Sequence, residues 1–299
     1  MIRKEDLAQL DAVFLSHFGY NDFNDEIIEN GYISELRDIF VKNKCLEECY
    51  ESFLDFANTY DNVNDVLDVS YDIYQQMKEK VERIFIRQSF VQKNYFILFD
   101  KENKLNIPVE TLRPIFGKTY IVFDLCDGCF QSLERVWNVP EWEEFVKDIT
   151  DFEYFWKNKY FRIGILKNFA WDEYNYFMHK CIYKIFQTEN DFLGNTLNKC
   201  TKFIHLDSVY FEFDDEITEN ISEQCKQLCE DAYNQLGLRL HYNIFVYDEV
   251  EYNDITEQKV LDVEKNKYRI LKKKAHPLNP IFYKIANGLE ISEMDKKYF

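Results

Sequence analysis

The 299 residues carry 54 acidic against 36 basic side chains, a formal charge of −18, and 46% of them are hydrophobic. This composition excludes global disorder, which goes with a shortage of apolar material, and it excludes a uniformly basic nucleic-acid binder, because such a field repels phosphate backbones. With only 8 Gly and 5 Pro the chain offers no Gly-rich phosphate loop and no Pro-rich linker, so long helices and extended ladders are expected.

The length exceeds the ~250 residues at which a single core stops growing efficiently, and two units are expected. The N-terminal segment MIRKEDLAQLDAVF is charged where a secretion signal would be apolar, so the eight cysteines are expected to be reduced and the protein cytoplasmic. Charges interrupt every hydrophobic run before the ~18 residues of a membrane span, and no membrane association is expected. Abundant Asn, Lys, Phe and Tyr point to an AT-rich coding genome, viral genomes among them.

In chain order, apolar residues first recur at spacings of three and four: Leu7, Leu10, Val13 and Phe14; Leu36, Ile39 and Phe40; Phe53, Leu54 and Phe56; then Val66, Tyr71, Ile73, Met77, Val81 and Ile84. Each group forms one stripe of a helix. Asn24, Asn62 and Asn64 stand where helix starts are expected, and Asn30-Gly31 is a break between helices. The run YFILFD, beginning at Tyr95, has strand length and predicts a hairpin with LNIPVE. That pattern places a domain boundary near residue 92.

Gly117-Lys118 introduces TYIVFD, a strand ending in Asp124, with a short helix predicted around Phe130 and Leu133. Residues 141–190 again predict helices. KFIHLDSVYFEF predicts a tight hairpin pivoting on Asp207-Ser208. Ile217, Ile221, Cys225, Leu228, Ala232 and Leu236 predict a helix of about five turns closed by Gly237. Leu238, Leu240, Tyr242, Ile244 and Val246 alternate along a half-buried antiparallel strand, and KVLDV with KYRILKK predicts a last hairpin turning at residues 264–266.

Two-metal phosphoryl transfer needs carboxylates on adjacent strand ends, holding two cations ~3.5–4 Å apart. Asp124 and Asp207 are the candidates. VFDLCDGCFQSL resembles motif A of polymerase palms, and DSVYFEF with the helix, strand and KNKY that follow resembles the motif C region of family B DNA polymerases. The resemblance spans residues 116–275. With the helical module over 1–92 read from its apolar spacing, the expected fold is α+β, and the resemblance implies that residues 93–299 form a palm-like, mainly antiparallel sheet with packed helices, ending in a basic hairpin. It further implies nucleotidyl transfer from a nucleoside triphosphate to a nucleic-acid primer, with Asp124 and Asp207 catalytic and binding Mg²⁺ or Mn²⁺. Lys267 and Tyr268 would touch the primer backbone. Lys159, Arg162 and Lys167 of KYFRIGILK would stand in for the basic helix that grips triphosphate. The chain departs from the family at His205 and Leu206, where an Asp and a Thr are the rule, and it carries no Lys-x-x-x-Asn-Ser-x-Tyr-Gly segment.

Plainer roles are available to the same residues. Asp124 suits a turn or a helix cap, and Asp207-Ser208 a simple turn. Glu212, Asp214, Asp215 and Glu216 suit a solvated helix start, and residues 265–274 (KNKYRILKKK) an exposed strand. Cys126 and Cys129 make half a zinc site, whereas Cys225 lies on an apolar stripe and is expected to be buried. His205 is the histidine beside the candidate site. Together these roles define a competing function, an acidic, aromatic-rich interaction protein that binds a protein partner or mimics nucleic-acid charge.

Overall fold

A computed structural model describes the chain except at residues 1–5, 21–22, 24, 103–115, 127–130, 132–141, 167–200, 206–207, 214–218, 254, 272–279 and 299. It is an α+β protein in which a layer of helices adjoins an open antiparallel sheet.

The helices begin with α1 (Leu7–Ser16), α2 (Asp25–Glu29), α3 (Tyr32–Lys44), α4 (Glu47–Ala57) and α5 (Val63–Glu102). Gly31 has φ 76° between α2 and α3, which supplies the expected break. Asn62 caps α5: its Oδ1 accepts from the Asp65 N–H at 2.9 Å while its Nδ2 donates to the Asp65 carboxylate at 2.7 Å, a reciprocal arrangement of the capping-box kind. Residues 95–100, expected as a strand, are helical and belong to α5. No Gly or Pro interrupts that helix, and a short apolar run without its own turn signals continues whatever structure precedes it. The expected boundary at 92–93 therefore falls inside a continuous helix. Its proposed hairpin partner, LNIPVE, lies outside the described residues.

Three further helices, α6 (Trp142–Val146), α7 (Glu153–Lys157) and α8 (Lys159–Leu166), pack with α1, α3, α4 and the first half of α5. Their shared core is built from rings. Phe14 meets Phe53 at 5.3 Å between centroids, Phe53 meets Tyr154 at 5.2 Å, Phe56 meets Phe155 at 4.9 Å and Phe155 meets Phe161 at 5.3 Å. Tilted and edge-on pairs of this kind add ~0.5–1.5 kcal/mol each to the burial itself.

The sheet contains β1 (Thr119–Leu125), β2 (Thr201–His205), β3 (Ser208–Phe213), β4 (Leu240–Tyr252), β5 (Ile255–Asp262) and β6 (Lys267–Ile270), in the order β2-β3-β1-β4-β5-β6. Each pairing is antiparallel. The first four strands thus have β1 at the centre, flanked by the second strand of a hairpin and by a strand returning from a helix, the split βαβ arrangement. That helix, α9 (Glu219–Leu236), ends as expected: Gly237 has φ 61° and its N–H donates to the Tyr233 carbonyl at 2.7 Å. α9 lays Ile221, Cys225, Leu228 and Ala232 on Ile121, Phe123, Phe211 and Ile244 of one sheet face. The opposite face carries Tyr120, Val122, Tyr247 and Val260, with Tyr210 packed against them, so the period-2 alternation divides β1, β3 and β4 between two clusters.

β6 is an edge strand, a position that invites pairing with another chain. Two asparagine amides occupy it. Asn43 of α3 accepts from the Ile270 N–H at 2.9 Å and donates to the Ile270 carbonyl at 3.4 Å. Asn287 accepts from the Tyr268 N–H at 3.2 Å and donates to the Tyr268 carbonyl at 3.1 Å; it follows α10 (Pro280–Ala286). The last helix, α11 (Glu293–Tyr298), carries the buried Asp295, whose carboxylate accepts from Tyr32 at 2.5 Å and ties the end of the chain to α3. Among the described residues no helix is long and apolar enough to cross a membrane.

Candidate functional site

Asp124 lies near the end of β1, where its side chain falls on the sheet face opposite α9. Register decides its neighbours: the Asp124 Cα faces Ser208 on β3 and His241 on β4. Both side chains turn to it. The Ser208 hydroxyl donates to Asp124 Oδ1 at 2.8 Å, and His241 Nε2 stands 3.5 Å from Asp124 Oδ2. The other ring nitrogen of His241, Nδ1, is 3.3 Å from Cys126 Sγ, so the imidazole bridges a carboxylate and a thiol. Asp124 keeps 21% of its side-chain surface exposed and His241 keeps 41%, which leaves the cluster reachable from solvent.

A glutamine fastens this end of the sheet. Gln131 is buried, donates to the carbonyls of Cys126 and, at 2.8 Å, Arg239, and accepts from the Arg239 N–H at 2.9 Å. The Cys126 N–H donates to the Arg239 carbonyl at 2.8 Å. β1 and β4 are therefore tied together just beyond Asp124.

Asp207 itself lies outside the described residues, in the two-residue connection between His205 and Ser208, which face one another at the hairpin end. It is the chain neighbour of the residue that bonds Asp124. Among the histidines whose side chains are described, it is His241 whose ring meets Asp124; the side chain of His205 lies outside the described residues. Leu240, Ile244 and the partly buried Tyr242 face the α9 core, which turns His241 the other way, toward the face that carries Asp124. That consequence of alternation was available from the sequence, but the choice of β1 as the neighbouring strand was not.

The expected phosphate-binding residues that are described lie on other elements. Lys159 and Arg162 are on α8, whose Phe161, Ile165 and Leu166 are built into the helical core, and Arg162 donates to the Trp156 carbonyl within that layer. Lys167 lies outside the described residues. Lys267 and Tyr268 are on β6, three strands from β1 and hence roughly 14 Å away at ~4.7–4.9 Å per strand. There Lys267 donates to the Lys42 carbonyl at the end of α3 at 2.8 Å, and the Tyr268 ring lies 4.4 Å from the Lys259 ammonium. Two more residues of the basic segment are also engaged: Lys265 and Arg269 stand 3.8 Å and 3.6 Å from the buried Asp262. Lys272, Lys273 and Lys274 lie outside the described residues.

Glu212 pairs with Lys118 at 3.2 Å, while residues 214–216 lie outside the described residues. Cys225 is buried, as its stripe position required, and burial pushes its thiol up to about 12. Cys129 lies outside the described residues, and among those described no three His, Cys, Asp or Glu side chains are grouped to hold a metal ion. No family model, curated protein or solved structure matches the chain.

Proposed function

We propose that this chain is a palm-type nucleotidyltransferase with Asp124 and Asp207 as its metal-binding carboxylates. One observation carries the reading: on the central strand of a split βαβ sheet, Asp124 faces and bonds Ser208, the residue that follows Asp207 at the hairpin end. Mg²⁺ takes only one or two protein carboxylates and leaves its other positions to water and phosphate oxygens, so this pair is sufficient in number. In the reaction a primer hydroxyl attacks the α-phosphorus of a nucleoside triphosphate, the bond to the β-phosphate breaks and pyrophosphate leaves. Bound Mg²⁺ or Mn²⁺ would supply the positive charge that stabilises the attacking and leaving oxygens.

The residues around the carboxylate have a supporting task. Ser208 and His241 approach different oxygens of Asp124, which fixes the carboxylate plane, the role outer partners play around metal ligands. Arg162, Lys267 and Tyr268 are engaged within the helical layer and at the β6 edge and are not used in this reading, whereas Lys159 is exposed on α8 and stays a candidate for phosphate.

The test is incorporation of nucleotide into a labelled primer, with and without template, in Mg²⁺ or Mn²⁺. The wild type should extend, and Asp124→Ala and Asp207→Ala should each lose ~10²–10³-fold while remaining folded, as loss of a principal electrostatic element does elsewhere. Absence of extension under every metal would end the catalytic reading. A second reading is then favoured by the occupied basic segment: a non-catalytic protein of net charge −18 whose acidic surface meets a basic protein partner.

A further inference from the structure

The helical layer contains a cavity of about 540 Å³ between the end of α1, the first half of α5 and α8. Its volume lies within the range of small-molecule sites, ~300–1,000 Å³. Four rings line it, Phe18, Tyr71, Tyr74 and Phe161, together with the aliphatic Leu67 and Ile163. At its mouth Tyr71 is 63% exposed and Leu67 is 41% exposed, so apolar surface remains in water that a bound molecule would cover.

Charge narrows what fits. Among the described lining residues there is no Asp, Glu, Lys or Arg. The one titratable imidazole there, His17, is wedged against Phe53, Tyr154 and Phe161 at 5.9, 5.7 and 5.2 Å, and burial holds it down at about 4, neutral at pH 7. An ion entering this space would lose water without gaining a counter-charge. The Tyr74 hydroxyl has no hydrogen-bond partner among the described residues, and burial raises its pKa, so it remains a protonated donor.

A second feature is independent of the lining chemistry. Gly164 stands in α8 with ordinary helical φ, at a cost of about 1 kcal/mol relative to Ala. A Cβ built there would meet only the Tyr74 hydroxyl, at 4.0 Å. The helix has the room for a side chain and goes without one, and the space kept open belongs to this cavity.

We propose that the cavity binds a flat, uncharged aromatic molecule of two or three rings bearing one polar group that bonds the Tyr74 hydroxyl. This site is separate from Asp124 and does not depend on nucleotidyl transfer.

The experiment is a fluorescence titration of the full chain with N-phenyl-1-naphthylamine, compared with 8-anilinonaphthalene-1-sulfonate, the same ring skeleton carrying a negative charge. Saturable binding of the neutral probe at one site per chain is expected, at least tenfold tighter than the sulfonate. Gly164→Leu should fill the cavity and abolish that binding without lowering the melting temperature, because Leu favours the helix. Tyr71→Ala, at an exposed position that the fold tolerates, should weaken binding about five- to tenfold. Absence of saturable binding, equal affinity for the two probes, or undiminished binding in Tyr71→Ala and in a folded Gly164→Leu would overturn the proposal.

Discussion

Three aspartates divide the molecule into two kinds of region. In the helical layer Asp11 is fully buried and accepts from Arg37 Nε at 3.0 Å and from the Tyr50 hydroxyl at 2.5 Å, while the Arg37 guanidinium covers the Tyr50 ring at 4.2 Å. Asp295 is also fully buried and accepts from Lys284 at 2.6 Å, from the Tyr32 hydroxyl, and from the N–H and hydroxyl of Ser292 at 2.6 and 2.8 Å. Asp124, at the end of the sheet, has a hydroxyl and an imidazole for partners and part of its surface in water. The contrast separates two carboxylates buried against fixed cations from one that keeps part of its surface in water at a sheet end. Fixed cations and several donors repay the desolvation of Asp11 and Asp295; the Asp124 site invests in position.

The comparison is tested hardest at Asp295. Asp295→Ala leaves the Lys284 ammonium buried beside only Glu35, and we expect a loss of about 3–5 kcal/mol in urea unfolding. Burial on its own would raise the Asp295 pKa, but Lys284, Tyr32 and Ser292 outweigh it and leave it below the ordinary 3.8. The unfolded chain therefore takes up this proton first as acid is added. The resulting stability is present above the ordinary carboxylate value and is lost as pH falls through the native one. Unfolding curves of Asp295→Asn should lack that acid-dependent component as pH falls below the ordinary 3.8; a variant that keeps it would place the acid sensitivity elsewhere.

Next in size is the β6 edge. Asn43→Ala leaves the Ile270 N–H without its side-chain acceptor, and Asn287→Ala does the same to Tyr268. A loss of about 2 kcal/mol is expected for the first, whose partners are buried, and about 1 kcal/mol for the second. The double variant should also self-associate in sedimentation velocity, since it uncovers strand donors and acceptors.

A smaller effect is expected at His17. Its native pKa of about 4, against an ordinary 6.5, means that the unfolded chain binds a proton between those values and the native chain does not. Stability should therefore fall as pH drops from 6.5 toward 4. Because one side of the ring meets the cavity, about 1 kcal/mol is expected in place of the full shift. His17→Gln should flatten the slope of melting temperature against pH over that window.

Particular elements show what local pattern could and could not settle. α9 with Gly237, the β2–β3 hairpin, β4 and the Asn62 cap were all legible, because each depends on side-chain period or on a residue with one conformational use. Residues 95–100 misled because a short apolar run has no period of its own, and only its continuity with α5 decides its state. That α6, α7 and α8 join the first four helices in one core is a tertiary fact with no local mark. The fate of Lys267 and Tyr268 is likewise invisible in a linear reading: Asn43 is 227 positions from the strand residue it bonds. Asp124 was singled out from its strand end, whereas His241 and Gln131 needed the register of β4 against β1.

The smallest expected change in stability carries the most weight. Asp124→Asn keeps the shape of the side chain, and its amide oxygen can still accept from Ser208, so unfolding should shift by less than about 1 kcal/mol. The same change removes the charge that a cation would need, and primer extension should fall ~10²–10³-fold if the palm reading holds. Paired with Asp295→Asn, this variant turns the comparison into a measurement. If Asp124→Asn destabilises as strongly as the loss of Asp295, by 3 kcal/mol or more on the scale of a broken buried ion pair, then Asp124 is another structural carboxylate. The proposed site would then lose the residue on which it is built.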